Sequence, residues 1–266
     1  MKIFFTDSFT NEPFKGNPAA VCLPEERLSE TEMQQIATEI GFSETAFVMT
    51  TDSINTYNIR YFSPKQEIPL CGHATLASAK ILFGLCAAAD ILFVTAEGIR
   101  LPVRKEEGEI VMDFPVYETE ALDIPQAMLS ALGIRQAAAT SYCPEKQSIL
   151  IEIDSASQLA KLDPDFTALV ASYSNIEGVL VTAPSDSNSF DFHYRYFWPW
   201  AGSNEDPATG AVQTFLAKYW SKKLRKQTLK AFQSSKRTGE MRVELRAGRV
   251  LIYGEAVVVL EGAFKH

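Results

Sequence analysis

The sequence predicts an α+β protein of two similar lobes, each many strands around one apolar helix. Three observations carry that prediction. Most of the chain alternates apolar and polar residues in short runs bounded by Gly, Pro and Asn, the pattern of half-buried strands. A motif also repeats at half the chain length. Arg60-Tyr61-Phe62-x-Pro64 recurs as Arg195-Tyr196-Phe197-x-Pro199, and Pro69-x-x-Gly72 as Pro207-x-x-Gly210. Finally, each copy runs on into an apolar, alanine-containing helix, His73 to Phe83 and Ala211 to Trp220.

Taken in order, Lys2–Phe9 reads as a strand, Asn11 to Pro18 as a turn cluster and Ala19–Leu23 as a second strand. Ser29-x-x-Glu32 is a capping box that opens a helix through Met33, Ile36, Ala37 and Ile40, closed by Gly41. Glu44 then stands at the lip of the next strand, and Ile54–Phe62 is a further strand ahead of the first Pro-x-x-Gly. Beyond Gly84 come strands at Ile91–Thr95, Ile99–Arg104 and Ile110–Phe114. The stretch from Pro115 to about Pro125 lacks periodicity and reads as a linker, which sets lobes at 1–116 and 117–266 and leaves the last strand free to cross back.

The second lobe opens with a short helix near Ala127–Leu132 and strands near Ala137–Tyr142 and Ser148–Ile153. Weak helices follow at Ser157–Ala160 and Phe166–Ala171, then a strand at Gly178–Thr182. Phe190-Asp-Phe-His-Tyr-Arg-Tyr-Phe197 is an aromatic strand, and Val212, Phe215, Leu216 and Tyr219 mark one helix face. Strands at Leu229–Phe232, Met241–Leu245, Val250–Tyr253 and Ala256–Leu260 end the chain.

Composition narrows the function. With 266 residues, 46% hydrophobic and 22% charged, the chain is long enough for two real cores and too apolar for disorder. A net charge of −8 argues against non-specific nucleic-acid binding; the cluster Lys222, Lys223, Arg225, Lys226 and Lys230 suits a helix C-terminus instead. Cys22, Cys71, Cys86 and Cys143 form no C-x-x-C pair, and with His73, His193 and His266 the only histidines no metal-ligand spacing appears. The apolar run Ile81–Ala89 is too short to span a bilayer, so a cytoplasmic, non-membrane protein is expected.

The two glycine turns suggest where chemistry occurs. A glycine at a helix start lets a carboxylate or phosphate approach unpaired backbone N–H groups at the positive end of the helix dipole. Gly72 and Gly210 both hold that position, and Asp206 adds a carboxylate beside the second. If the lobes face each other, both helix N-termini converge on one cleft.

Several blocks then carry a resemblance: Phe9-Thr10, Pro13-Phe14, Gly16-Asn17-Pro18, Ser43-Glu44-Thr45-Ala46, Pro69-Leu-Cys-Gly-His-Ala-Thr75 and Glu205-Asp-Pro-Ala-Thr-Gly210. With the closing Gly254-x-Ala256-Val257 and Leu260-Glu261-Gly262, they resemble the signature blocks of the PhzF family of phenazine-biosynthesis-like isomerases over nearly the whole chain. The resemblance implies the diaminopimelate epimerase fold, two pseudo-symmetric lobes that each wrap a curled, mostly antiparallel sheet around a central helix. It implies proton transfer on a small carboxylate-bearing molecule without metal or organic cofactor; a homodimer is the expected assembly. Glu44 matches the family's acid/base, while His73 and Asp206 match residues that orient the substrate. Asn17, Gly72, Thr75, Thr209, Gly210 and Ala211 match the substrate-binding positions. Burial of Glu44 in a partly apolar cleft is expected to raise its pKa toward neutrality.

The chain departs from the family pattern in its second lobe. Ala211 replaces a common serine, Gln233-Ser234-Ser235 the usual Gln-Gly, and Arg237-Thr238-Gly239 the usual Arg-Pro-Ser. Trp198 and Trp200 add bulk around Pro199 and are expected to pack a lobe interface. Two other readings remain. A two-cysteine racemase or epimerase would use Cys71, but its second cysteine falls at Thr209; a non-catalytic binding module would keep the site without turnover.

Overall fold

The computed structural model describes residues 1–265, and most strands fall within about two residues of where the alternation places them. The chain divides into two units, Met1–Asp113 with Leu251–His266, and Phe114–Val250. Its class is α+β, rich in strands with few helices.

The first unit runs β1 (Lys2–Ser8), β2 (Asn17–Leu23), α1 (Glu30–Ile40), β3 (Thr45–Thr50), β4 (Thr56–Phe62), β5 (Glu67–Ile68), α2 (Gly72–Leu85), β6 (Asp90–Thr95), β7 (Arg100–Glu106) and β8 (Glu109–Pro115). The capping box forms as read: Glu32 N–H donates to Ser29 Oγ, Ser29 N–H donates to the Glu32 carboxylate, and Gly41 closes α1 at φ 72°. One face of the sheet buries Ile3, Cys22, Phe47 and Phe62 against Met33, Ile36 and Ala37 of α1. The other carries α2, apolar all round and packed on β1, β2 and β3. Burying Leu76, Ile81 and Leu82 there contributes roughly 1.5–3 kcal/mol each.

The second unit runs β9 (Glu120–Ala121), α3 (Gln126–Ala131), β10 (Ala139–Cys143), β11 (Ser148–Glu152), α4 (Ala156–Leu159), α5 (Phe166–Ser172), β12 (Gly178–Pro184), β13 (Phe192–Phe197), α6 (Gln213–Leu224), β14 (Thr228–Gln233) and β15 (Gly239–Arg246). β16 (Arg249–Gly254) leads the chain to β17 (Ala256–Ala263), which pairs antiparallel with β1 in the first unit. Met128, Leu132, Ile151, Leu169 and Val181 share one core with Phe197.

The repeat is a repeat of topology. In the first unit β1–β2 is antiparallel, β2–β3 parallel, β3–β4 antiparallel, β4–β6 parallel and β6–β7 antiparallel. In the second, β10–β11, β11–β12, β12–β13, β13–β14 and β14–β15 follow the same alternation. The Arg-Tyr-Phe motif does the same work twice. Arg60 grips Glu67 through Nε at 2.7 Å and Nη2 at 2.5 Å, and lies over Phe62. Arg195 grips Glu205 at 2.7 and 2.8 Å and lies over Phe197. Each fork pins the strand end to the loop that leads into its Pro-x-x-Gly turn.

Four expectations are corrected. The stretch read as a linker contains β9, which pairs with β10. The second central helix starts at Gln213, because Gln213 N–H donates to Gly210 O at 3.0 Å and Thr214 N–H to Ala211 O at 3.3 Å, a tight turn ahead of the α-helix. The aromatic strand starts at Phe192, two residues late. Trp200 packs into the second unit's own core and donates Nε1–H to Tyr173 O at 3.0 Å, while Trp198 donates to Ser203 Oγ. Among the described residues no helix is long and apolar enough to cross a membrane.

Candidate active site

Four element ends of the first unit meet at one histidine. Glu44 directly precedes β3 and its carbonyl accepts from Ala20 N–H of β2, which fixes the carboxylate at the strand lip. His73 is the second residue of α2, and its Nε2 lies 3.0 Å from Glu44 Oε2. Asn17, at the start of β2, faces the other ring nitrogen, with Nδ2 at 3.1 Å from Nδ1. Ser8, at the end of β1, donates Oγ–H to the His73 carbonyl at 2.7 Å. Asn17 can serve either charge state of the ring. Its Nδ2 donates to a neutral Nδ1, and, turned over, its Oδ1 accepts from Nδ1–H.

Cys71 belongs to the same cluster. It precedes α2, with Sγ 3.4 Å from His73 Nδ1 and 3.8 Å from Nε2. Glu44, Cys71 and His73 are 6%, 7% and 7% exposed, and their donor atoms lie within 4.8 Å of one another. Thr75 braces the turn from inside: its hydroxyl bonds Cys71 O and Tyr61 Oη, both at 2.6 Å. Gly72 opens the helix between these residues.

The electrostatics reverse one expectation. Burial by itself would raise the Glu44 pKa, but the charge of His73 and hydrogen bonds from His73 and Ser43 outweigh it and hold the carboxyl below its usual range. Burial would likewise depress His73, yet Cys71 and Glu44 beside it raise it well above the ordinary imidazole value. Burial pushes the Cys71 thiol up. The directions favour a carboxylate–imidazolium pair, and burial favours the neutral form of the thiol beside it.

The second unit holds the other predicted residues in a separate cluster. Asp206 accepts a short hydrogen bond from the Thr209 hydroxyl, and its backbone pairs with Tyr196. Gln233 clamps the turn, with Nε2–H to Asp206 O and Oε1 accepting from Thr209 N–H, both at 2.6 Å. Tyr194 donates to Thr209 O at 3.1 Å. Gly210 and Ala211 follow, ahead of α6. The departures from the family pattern work here: Ser235 Oγ–H donates to Pro207 O at 2.5 Å, and Ser234 Oγ lies 3.1 Å from His193 Nδ1. The lysines near the end of α6 have local partners, Lys223 with Glu152 and Lys226 with Asp191.

Register identifies the counterpart of Glu44. Thr45 pairs with Phe62, and Val179 with Phe197, the same residue of the repeated motif. Glu44 thus corresponds to Gly178. A Cβ there would lie 2.6 Å from Tyr196 Oη, so the tyrosine fills the space a carboxylate would need. Sequence reading missed this, and missed Gln233 as a clamp, because both depend on pairing partners distant in the chain.

The family model for phenazine biosynthesis-like proteins matches residues 6–262. The chain belongs to the PhzF family. An uncharacterized isomerase of Pseudomonas aeruginosa is 41% identical over 98% of each chain. The mouse phenazine biosynthesis-like domain-containing protein 1 is 40% identical over 98% of each. The crystal structure of a PhzF family protein of Enterococcus faecalis, 37% identical, covers 99% of each chain at a TM-score of 0.92. A probable proline racemase of Agrobacterium radiobacter, 10% identical with a TM-score of 0.62 over 99% of this chain and 92% of its own, shares the fold. The PhzF fold is thus the diaminopimelate epimerase-like one that the racemase also adopts.

Proposed function

We propose that this PhzF protein is an isomerase that moves a proton between carbons of a small carboxylate-bearing molecule, without an organic cofactor. The carrying observation is the buried Glu44–His73 pair at 3.0 Å. Glu44 takes and returns the proton. His73 keeps it ionised at rest, and a substrate oxygen that draws the His73 N–H away from Glu44 leaves a desolvated, more basic carboxylate. The imidazolium then faces the negative charge that develops on the substrate. The same reading assigns Asp206, with Thr209, Gly210 and Ala211, to the substrate's polar groups.

Against a two-base racemase stand two positions of the second unit. Gly178, closed over by Tyr196, carries no counterpart to Glu44, and Thr209 stands where the second cysteine would. The test is turnover in D2O of a panel of unsaturated ring and chain carboxylates, read by NMR. The expected result is a moved double bond, with deuterium at the new C–H position and no racemisation at a saturated α-carbon. Inversion of an α-carbon would favour the racemase, and binding without any exchange the non-catalytic module.

Cys71 separates the enzyme classes again. Cys71→Ser is expected to leave turnover within about tenfold, a barrier change of roughly 1.4 kcal/mol, because the base is a carboxylate. A loss of several orders of magnitude, with circular dichroism unchanged, would transfer the proton to the thiol.

A further inference from the structure

We infer that a groove of the first unit, between Thr95 and Ile68, binds a small neutral carboxamide. Its volume is about 160 Å³, and Glu44, Cys71 and His73 are not among its walls. It lies where β4 exchanges one partner strand for another. Ile59 pairs with Thr95 of β6, and Tyr61 with Ile68 of β5.

The repeat shows what fills the same fork in the second unit. Ile59 and Tyr194 each precede the arginine of the repeated motif, Arg60 and Arg195. Ile59 pairs with Thr95 and Tyr194 with Gln233, so Thr95 is the counterpart of Gln233. In the Pro-x-x-Gly turns, Ile68 and Cys71 likewise correspond to Asp206 and Thr209. The fully buried Gln233 carboxamide spans the second fork. Its Nε2–H donates to Asp206 O and its Oε1 accepts from Thr209 N–H. Tyr194 adds a bond to Thr209 O. Both first-unit counterparts are shorter, and both are walls of the groove. Ile59 is apolar, and Thr95 Oγ1 accepts from Ile99 N–H at 3.2 Å instead of reaching the turn. A ligand carboxamide supplies what Thr95 does not: it donates to Ile68 O and accepts from Cys71 N–H.

The remaining walls select the body and charge of the ligand. Ile59, Ile68 and Pro69 are apolar and suit a flat ring. Glu67 and Glu97 make the lining net negative, because Arg60 is already forked to Glu67 and bonded to Glu30. A carboxylate is repelled there and brings no N–H for Ile68 O, whereas a neutral aromatic amide meets both conditions. The braced turn carries Cys71 and His73, so any effect on turnover rests on the proposed function; the binding does not.

Benzamide and benzoate are the probes, each titrated into the intact wild-type protein and followed by amide NMR. Benzamide should give saturable shifts at residues 59–61, 67–71 and 95–97 and slow hydrogen exchange at the Cys71 amide. Benzoate should do neither. Thr95→Gln, which restores the clamp of the second unit, should lower benzamide affinity by about tenfold or more. The wild-type comparison stands without that variant. No shifts at the groove, shifts only around Glu44 and His73, equal shifts with benzoate, or undiminished binding by folded Thr95→Gln would overturn the assignment.

Discussion

Glu44→Gln is expected to lower solvent proton exchange into substrate by about 10²- to 10⁴-fold, the range a positioned general base contributes. The amide keeps the size of the side chain and can still bond His73, so ligand affinity measured by calorimetry should change little. Glutamine cannot accept a proton from carbon. The second unit offers no replacement at the matching position, because Gly178 is covered by Tyr196. The measurement is deuterium wash-in at fixed pD, wild type against variant. Equal rates would remove Glu44 from the reaction and leave the Glu44–His73 pair as a structural device.

How much of this could be read from the chain depends on how local each cause is. The capping box of α1 lies within a few residues and forms as read, down to the left-handed Gly41. The repeat survived because Arg60 and Arg195 each need a partner just downstream, so motif and fork travel together. The start of α6 was misplaced because a turn of Gly210, Ala211 and Val212 is not distinguishable by periodicity from a first helical turn.

Site residues follow the same rule. Glu44, His73 and Asn17 stand out in motifs, but their mutual geometry needs β1, β2, β3 and α2 assembled. That is why burial of Glu44 suggested a raised pKa while the structure gives a lowered one: His73 is 29 positions away in sequence and 3.0 Å away in space. The contact of Cys71 with the ring was hidden for the same reason, and only the fold shows its sulfur against the imidazole. Gln233 sits at the end of a strand with nothing nearby to announce the turn that it clamps.

Removing His73 is expected to cost about 3–5 kcal/mol of stability near neutral pH, because His73→Ala leaves a buried carboxylate without its counter-charge. The double variant Glu44→Gln/His73→Ala should cost clearly less than the sum of the two single changes, since it leaves no unpaired charge. The pH dependence follows from the two shifts. The folded pKa of His73 is raised, so its contribution is complete below the unfolded value near 6.5 and is lost as pH rises through the folded one. The folded pKa of Glu44 is lowered, so its contribution is present above the unfolded value near 4.5 and is lost as pH falls through the folded one. Both are complete between about pH 4.5 and 6.5, and the wild-type advantage should shrink toward either side. In His73→Ala the carboxyl, now governed by burial, can take up a proton as pH falls, which trims the penalty at the acid end. Urea denaturation of the four proteins across this range gives the coupling directly. Additive costs at every pH would mean that the two side chains, although in contact, do not hold each other's charge, and the ionised resting pair would have to be abandoned.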